Sequence, residues 1–204
     1  ELSARGLEFF DSNSLKLLSK EFNNIPADAG CAVWFEQENF TDELLGKWLE
    51  LIIKHNADPD KAWIASNTVD LERFKDFRHS ISWKVNEYIT RHNFRKVGTD
   101  TAVPVNVFRE YYNYIKILPQ KENIDYVIYG HFGDCHPHLN MLPKNNEEFA
   151  KAKTIYTKIC KKAVELNGTV SAEHGIGKAK RDYLTMMYGE KTIKEMARVK
   201  LYFD

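Results

Sequence analysis

The sequence is short of cysteine: Cys31, Cys135 and Cys160 are the only three, set far apart and forming no CxxC pair. That pattern argues against a disulfide framework and against a zinc-finger site, and it fits a reducing compartment. Long apolar runs are also missing. No stretch approaches the ~20 residues needed to span a bilayer, and the first 30 residues hold no signal-peptide apolar segment. Net charge is absent too, with 29 Lys and Arg against 29 Asp and Glu, so no long-range field draws in nucleic acid or an acidic membrane. A small molecule becomes the default partner. Neither GxGxxG after a strand nor GxxxxGK followed by Ser or Thr occurs, so no dinucleotide or nucleotide cradle is expected, and any redox cofactor has to be held elsewhere. Residue 1 is Glu rather than Met, and the chain stops at Tyr202-Phe203-Asp204 without a closing turn. Both ends are therefore read as cuts in a longer protein.

With 43% hydrophobic and 28% charged residues, a chain of 204 can bury a core, and the lack of linkers or repeats makes 1–204 one domain. Short runs rich in aromatic and β-branched residues predict strands at Leu7 to Phe10, Cys31 to Gln37, Ala62 to Ser66, Asp100 to Val103, Tyr126 to Phe132, His138 to Leu142 and Thr169 to Ala172. One helix begins at Asn145 as N-cap with Glu148 completing a capping box. It places Phe149, Ala152, Tyr156, Ile159, Ala163 and Leu166 on one face and ends at Asn167-Gly168. Another runs from Val69 to Arg91 with Leu71, Phe74, Ile81, Val85 and Tyr88 in a stripe whose missing slot is Arg78. The order of elements predicts an α+β layer: an antiparallel sheet with helices packed on one face. The lysines between 144 and 162 fall on the capped helix and read as its solvated face.

Four of the seven histidines lie between 131 and 174, in Gly130-His131-Phe132-Gly133-Asp134-Cys135-His136-Pro137-His138-Leu139-Asn140 and in Ser171-Ala172-Glu173-His174-Gly175-Ile176-Gly177. If Asp134-Cys135 is a two-residue hairpin loop, 131 pairs with 138, and the two imidazoles face each other with Cβ atoms ~5 Å apart. Asn140 and Tyr129 then share that face, while Phe132 and Leu139 turn to the core. Type I′ loops favour Asp-Gly, and Cys135 tolerates positive φ poorly, so a longer loop that shifts the register by one is the competing geometry. Glu173 would add an oxygen ligand and complete a two-His, one-carboxylate set with open positions, as in catalytic zinc and non-haem iron sites. His136 projects to the same face and is read as a bystander, with a fourth ligand or a neighbour of the ligands as alternatives. His174 follows a proposed ligand and is better placed as a base. His55, His79 and His92, on or near helix ends, are read as solvated. The bland alternative is a pair of ordinary sheet histidines and a solvated Glu173.

GHFGDCHPHLN followed by GTVSAEHGIGKAKRDYL resembles the paired signature of the FAD-linked oxidase C-terminal domain, found in D-lactate dehydrogenases, glycolate oxidase subunits and D-2-hydroxyglutarate dehydrogenases. LEFFDSNSLKLL, AVWFEQE, DFRHSIS, GTDTAVPV and KEMARVKLYFD extend the likeness in the same order over nearly the whole chain. The resemblance implies a ferredoxin-like substrate domain and a divalent metal, zinc, on His131, His138 and Glu173. It further implies His174 as base, Asn140 as a substrate contact and Arg78 on the substrate carboxylate as a planar bidentate partner. It also implies FAD bound by an N-terminal domain outside this sequence, oxidation of a D-2-hydroxy acid to the 2-keto acid with hydride passing to the flavin, and a cytoplasmic protein, peripheral to the inner membrane. Cys135-His136-Pro137 stands where the family has Gly-Asn-Leu or similar. Gly98 stands where some 2-hydroxyglutarate-type members carry a lysine, and Lys96 lies near enough to substitute. A stand-alone metal-dependent hydrolase and a non-catalytic ligand-binding module of the same fold are the competing readings.

Overall fold

The computed structural model describes residues 2–39 and 41–203, so Glu1 and Asp204, the two ends read as cuts, lie outside the described residues. Five strands form one sheet: β1 (Ala4–Asp11), β2 (Cys31–Gln37), β3 (Val97–Gly98), β4 (Tyr126–His131) and β5 (His136–Met141). They stand in the order β2-β1-β4-β5-β3, and every pairing is antiparallel. The helices are α1 (Ser12–Leu18), α2 (Asp42–Lys54), α3 (Thr68–Arg91), α4 (Phe108–Lys121), α5 (Asn146–Glu165) and α6 (Arg181–Phe203). The α+β class and the antiparallel sheet are those the sequence predicts. No helix among the described residues is long and apolar enough to cross a membrane.

Alternation along the strands divides the sheet into two faces. On one, Ile128, Leu139 and Met141 pack with Tyr111 and Ile115 of α4 and with Ala152, Ile155, Ile159 and Ala163 of α5. Ile155 and Ile159 are 2% and 0% exposed, and each contributes about 1.5–3 kcal/mol by leaving water. Helix α5 starts where expected, with Asn145 Oδ1 accepting the Glu148 N–H at 2.9 Å. The Glu148 carboxylate reaches back one residue further than a capping box requires, to the Lys144 N–H. The left-handed residue that ends α5 is Asn167 (φ 58°), while Gly168 is needed for space: a Cβ there would lie 2.2 Å from the Ala102 carbonyl oxygen. On the other face Phe10, Val127 and Leu142 are covered by Leu15 and Leu18 of α1 and by Phe77, Ile81 and Val85 of α3. Helices thus sit on both faces, because the end of the second face that carries Phe10 and Val127 also needs apolar cover.

The hairpin departs from the two-residue loop. Phe132–Asp134 make a 3₁₀ turn and Cys135 takes the left-handed conformation (φ 52°), so four residues connect the strands. His131 now pairs with His136 and Tyr129 with His138, a displacement of two residues rather than the one that a longer loop was expected to give. Phe132 explains the turn: it leaves the ladder to stack on Phe9 at 4.1 Å and to meet Phe108 edge-on at 5.0 Å. An even displacement preserves the faces, so His131, His136, His138 and Asn140 still share one side.

Three other strand expectations fail for local reasons. Residues 62–66 form no strand, and Trp63 packs instead on Phe77 at 5.3 Å. Segments 100–103 and 169–172 form no ladder: they share the single bridge Ala102–Thr169 and one further backbone bond, from the Ala172 N–H to the Asp100 carbonyl at 2.8 Å. Beyond it, the Glu173 and His174 amides turn to the Asp100 carboxylate rather than to a neighbouring strand. The edge strand is Val97–Gly98 instead, paired with Met141 and Asn140. A Cβ at Gly98 would meet Asn140 Oδ1 at 2.7 Å, so the glycine makes room for that side chain.

Candidate metal centre

The polar end of the second sheet face is built across three strands. Glu8 of β1 pairs with His131 of β4, which pairs with His136 of β5, and His138 follows two residues on. His131 Nδ1 lies 2.9 Å from Glu8 Oε1, and the same oxygen accepts Arg78 Nε at 3.0 Å and Nη2 at 2.6 Å. Burial pushes the Glu8 carboxyl up, but its bonds to His131 and Arg78 outweigh that and hold it below the usual range. His131 is raised in turn by its hydrogen bond to Glu8. A histidine that gives Nδ1–H to a carboxylate presents Nε2 as a lone pair, the arrangement that orients imidazole ligands. His138 Nδ1 faces the Thr99 carbonyl at 3.4 Å and leaves Nε2 in the same role. Burial lowers the basicity of His138, helped by His136 beside it, and burial does the same to His136. Both shifts favour the neutral imidazole, the state a metal ligand requires.

Glu173 arrives from the segment between α5 and α6, on a turn fixed by one carboxylate. Asp100 Oδ1 accepts the Glu173 N–H at 3.1 Å. Its Oδ2 takes the His174 N–H at 3.1 Å, Ser171 Oγ at 2.6 Å and Lys180 Nζ at 2.6 Å. Burial works against the charge on Asp100, yet Lys180, Ser171 and the Glu173 amide hold it far below the ordinary carboxylate range. So anchored, the turn brings Glu173 Oε1 to 3.1 Å from His138 Nε2 and Oε2 to 3.5 Å from His131 Nε2. Donors bound to one tetrahedral ion at ~2.1 Å stand about 3.4 Å apart, so the two Glu173–histidine spacings are ones a single divalent ion could bridge. His136 joins them: its ring nitrogen lies with the other three ligand atoms inside a mutual distance of 4.8 Å. Asp100, Glu173 and His174 form a second close group. There both Asp100 oxygens are already occupied by N–H and O–H donors, which suits a structural anchor better than a ligand.

A cavity of about 690 Å³ opens beside the cluster, lined by Arg78, Lys96, Tyr129, Asn140 and His174 among others. The structure thus brings His131, His138, Glu173, His174, Asn140 and Arg78 to one place. Arg78 differs from expectation in its partner: Glu8 already supplies the anion that its place in the α3 stripe requires, and Phe77 fills the core in its stead at 6% exposure. His136 differs as well, standing buried within the cluster rather than at its edge. His79 lies in mid-helix on α3 at the cavity rim, not near a helix end. Lys96 lines the cavity and is exposed at its surface; desolvation there lowers its basicity, and it forms no ion pair among the described residues.

Glu8, Asp100 and Lys180 were not foreseen. Glu8 leaves a trace, a single carboxylate between Leu7 and Phe9 in an apolar strand. Asp100 and Lys180 leave none, since 80 residues separate the two halves of the pair.

A family model described as FAD linked oxidases, C-terminal domain, matches residues 2–204. Among curated proteins, the mitochondrial D-lactate dehydrogenase [cytochrome] of Kluyveromyces lactis is 36% identical over 106 residues, covering 52% of this chain and 18% of that protein. The D-2-hydroxyglutarate dehydrogenase of Stutzerimonas stutzeri is 33% identical over 130 residues, 60% of this chain and 28% of its own length. The glycolate oxidase subunit GlcD of Bacillus subtilis is 32% identical over 107 residues, 52% of this chain and 23% of the relative. The matched part of the chain thus spans between about a fifth and somewhat over a quarter of each relative.

Proposed function

Because the chain belongs to the family of FAD-linked oxidase C-terminal domains, we propose that it is the substrate-binding part of a FAD-dependent dehydrogenase that oxidises a D-2-hydroxy acid to the 2-keto acid. The observation that carries this reading is the meeting of His131, His138 and Glu173 beside a cavity that also presents Arg78, Asn140 and His174. His131, His138 and Glu173 would hold a divalent ion, zinc by the donor set, which would supply Lewis acidity at the cavity.

The chain's own groups divide the remaining work. Arg78 gives Nε and one Nη2 proton to Glu8 and keeps the opposite edge of the guanidinium for a substrate carboxylate. Asn140, 4% exposed, offers an amide for the substrate. His174 has a side chain 63% exposed, with Nε2 3.3 Å from Glu173 Oε1, and accepts the hydroxyl proton. The sequence holds no GxGxxG turn to cradle a pyrophosphate, and we assign the flavin to a separate N-terminal domain. The greater part of each relative, lying outside the match, leaves room for one.

The test is metal analysis of the full-length protein, flavin domain included, purified without chelator, joined to oxidation of D-lactate, glycolate and D-2-hydroxyglutarate with an artificial electron acceptor. About one zinc per chain and turnover of at least one of these acids, abolished by chelation and restored by zinc, are expected. Protein without metal that still turns over would remove the His131, His138 and Glu173 assignment.

A further inference from the structure

We infer that His136 is a fourth protein ligand to the ion held by His131, His138 and Glu173, so that the site has three imidazoles rather than two. The inference rests on the metal-binding reading above and goes beyond it in the number and kind of donors. His136 is 4% exposed, and its Nε2 is buried without a hydrogen-bond partner. That nitrogen stands 3.2 Å from Asp100 Oδ1 but out of line for a hydrogen bond. Asp100 already receives the Glu173 and His174 amides, Ser171 and Lys180. A buried polar atom left in this way is costly, and a metal ligand role accounts for it.

The backbone aims the ring. The residue before a proline is confined to extended conformations, so Pro137 keeps His136 in the strand and its side chain on the histidine face. The four-residue loop sets it directly opposite His131. Its ring centroid is 4.3 Å from that of His138 and 5.6 Å from that of His131. Three imidazoles and one carboxylate select zinc or another transition ion over magnesium and calcium, which favour oxygen donors. They also leave fewer positions for substrate oxygens than a three-donor set does.

Zinc K-edge X-ray absorption fine structure on the purified protein carrying one zinc counts the imidazoles. Three are expected in the unaltered protein and two in His136→Asn with zinc retained. Affinity alone would not decide, because removing a neighbour of a ligand also weakens binding roughly 10–100-fold. Two imidazoles in the unaltered protein, or an unchanged count in the variant, overturn this inference and leave the metal-binding reading standing. Protein that takes up no zinc sinks both. If His136→Asn does not fold, the count on the unaltered protein decides by itself.

Discussion

Strands β1 and β4 present one face that changes character along its length, within two residues on β1 and four on β4. Phe10 of β1 and Val127 of β4 are buried under α3, whereas Glu8 of β1 and His131 of β4 sit in the polar cluster. Helix α3 serves both ends from adjacent positions: Phe77 enters the apolar cluster and Arg78 binds Glu8. The apolar end is held by area removed from water. The polar end is held by hydrogen bonds reaching in from loops and from one helix, and it gathers groups whose burial is unfavourable unless each finds a partner. Stability therefore belongs mainly to the first end and chemistry to the second, though they share the same strands.

The sharpest way to break that division is at Ile81, which is 1% exposed in the apolar cluster. Ile81→Ala should cost about 2–5 kcal/mol in a denaturant titration, with zinc content per folded chain unchanged. Loss of zinc from the folded variant would mean that the two ends are not separate. At the loop side, Asp100→Asn leaves Lys180, whose side chain is 16% exposed, without its countercharge and puts an amide against other N–H donors. About 3 kcal/mol is expected, together with weakened zinc binding measured by chelator competition. Because the Asp100 pKa is depressed, its contribution is present above the ordinary value of 3.8 and fades as pH falls below it. Asp100→Asn should lack that part of the acid dependence.

His138→Ala reverses the pattern expected at Ile81. Turnover should drop on the order of 10²-fold or more, equivalent to at least ~2.7 kcal/mol in the barrier, while metal-free stability changes less than for Ile81→Ala. Normal turnover and normal zinc content in this variant would remove His138 from the site.

The two ends also differ in how far the sequence discloses them. Stripes and caps announce the apolar packing of both sheet faces: Ile81 and Val85 on α3, Asn145 before α5 and the strand Cys31–Gln37 lie where periodicity and capping place them. Alternation alone puts His131, His138 and Asn140 on one face, and this survives the wrong hairpin loop because the displacement is even. What stays hidden is the partner at long range. The Phe9–Phe132 stack that sets the loop joins a residue of β1 to the distant turn between β4 and β5, and the Glu8–Arg78 pair spans 70 positions. The ladder expected at 100–103 fails because the Asp100 side chain captures the amides of a distant turn, which no local pattern announces.

The smallest expected effect falls on the residue that links the two ends. In Arg78→Lys a single ammonium replaces a guanidinium whose Nε and Nη2 both reach Glu8 Oε1 and whose other edge faces the proposed carboxylate. Lysine can serve one partner at a time. If it stays with Glu8, His131 keeps its orientation and the substrate contact weakens, so KM should rise about tenfold, ~1.4 kcal/mol, with a smaller fall in kcat. If it turns to the substrate instead, Glu8 loses its cation, His131 is held less firmly, and zinc affinity falls while KM changes little. Steady-state kinetics and chelator competition on the same variant tell the two apart. Unchanged values in both would confine Arg78 to packing at the edge of α3 and return the polar end of the sheet to β-strand and loop residues alone.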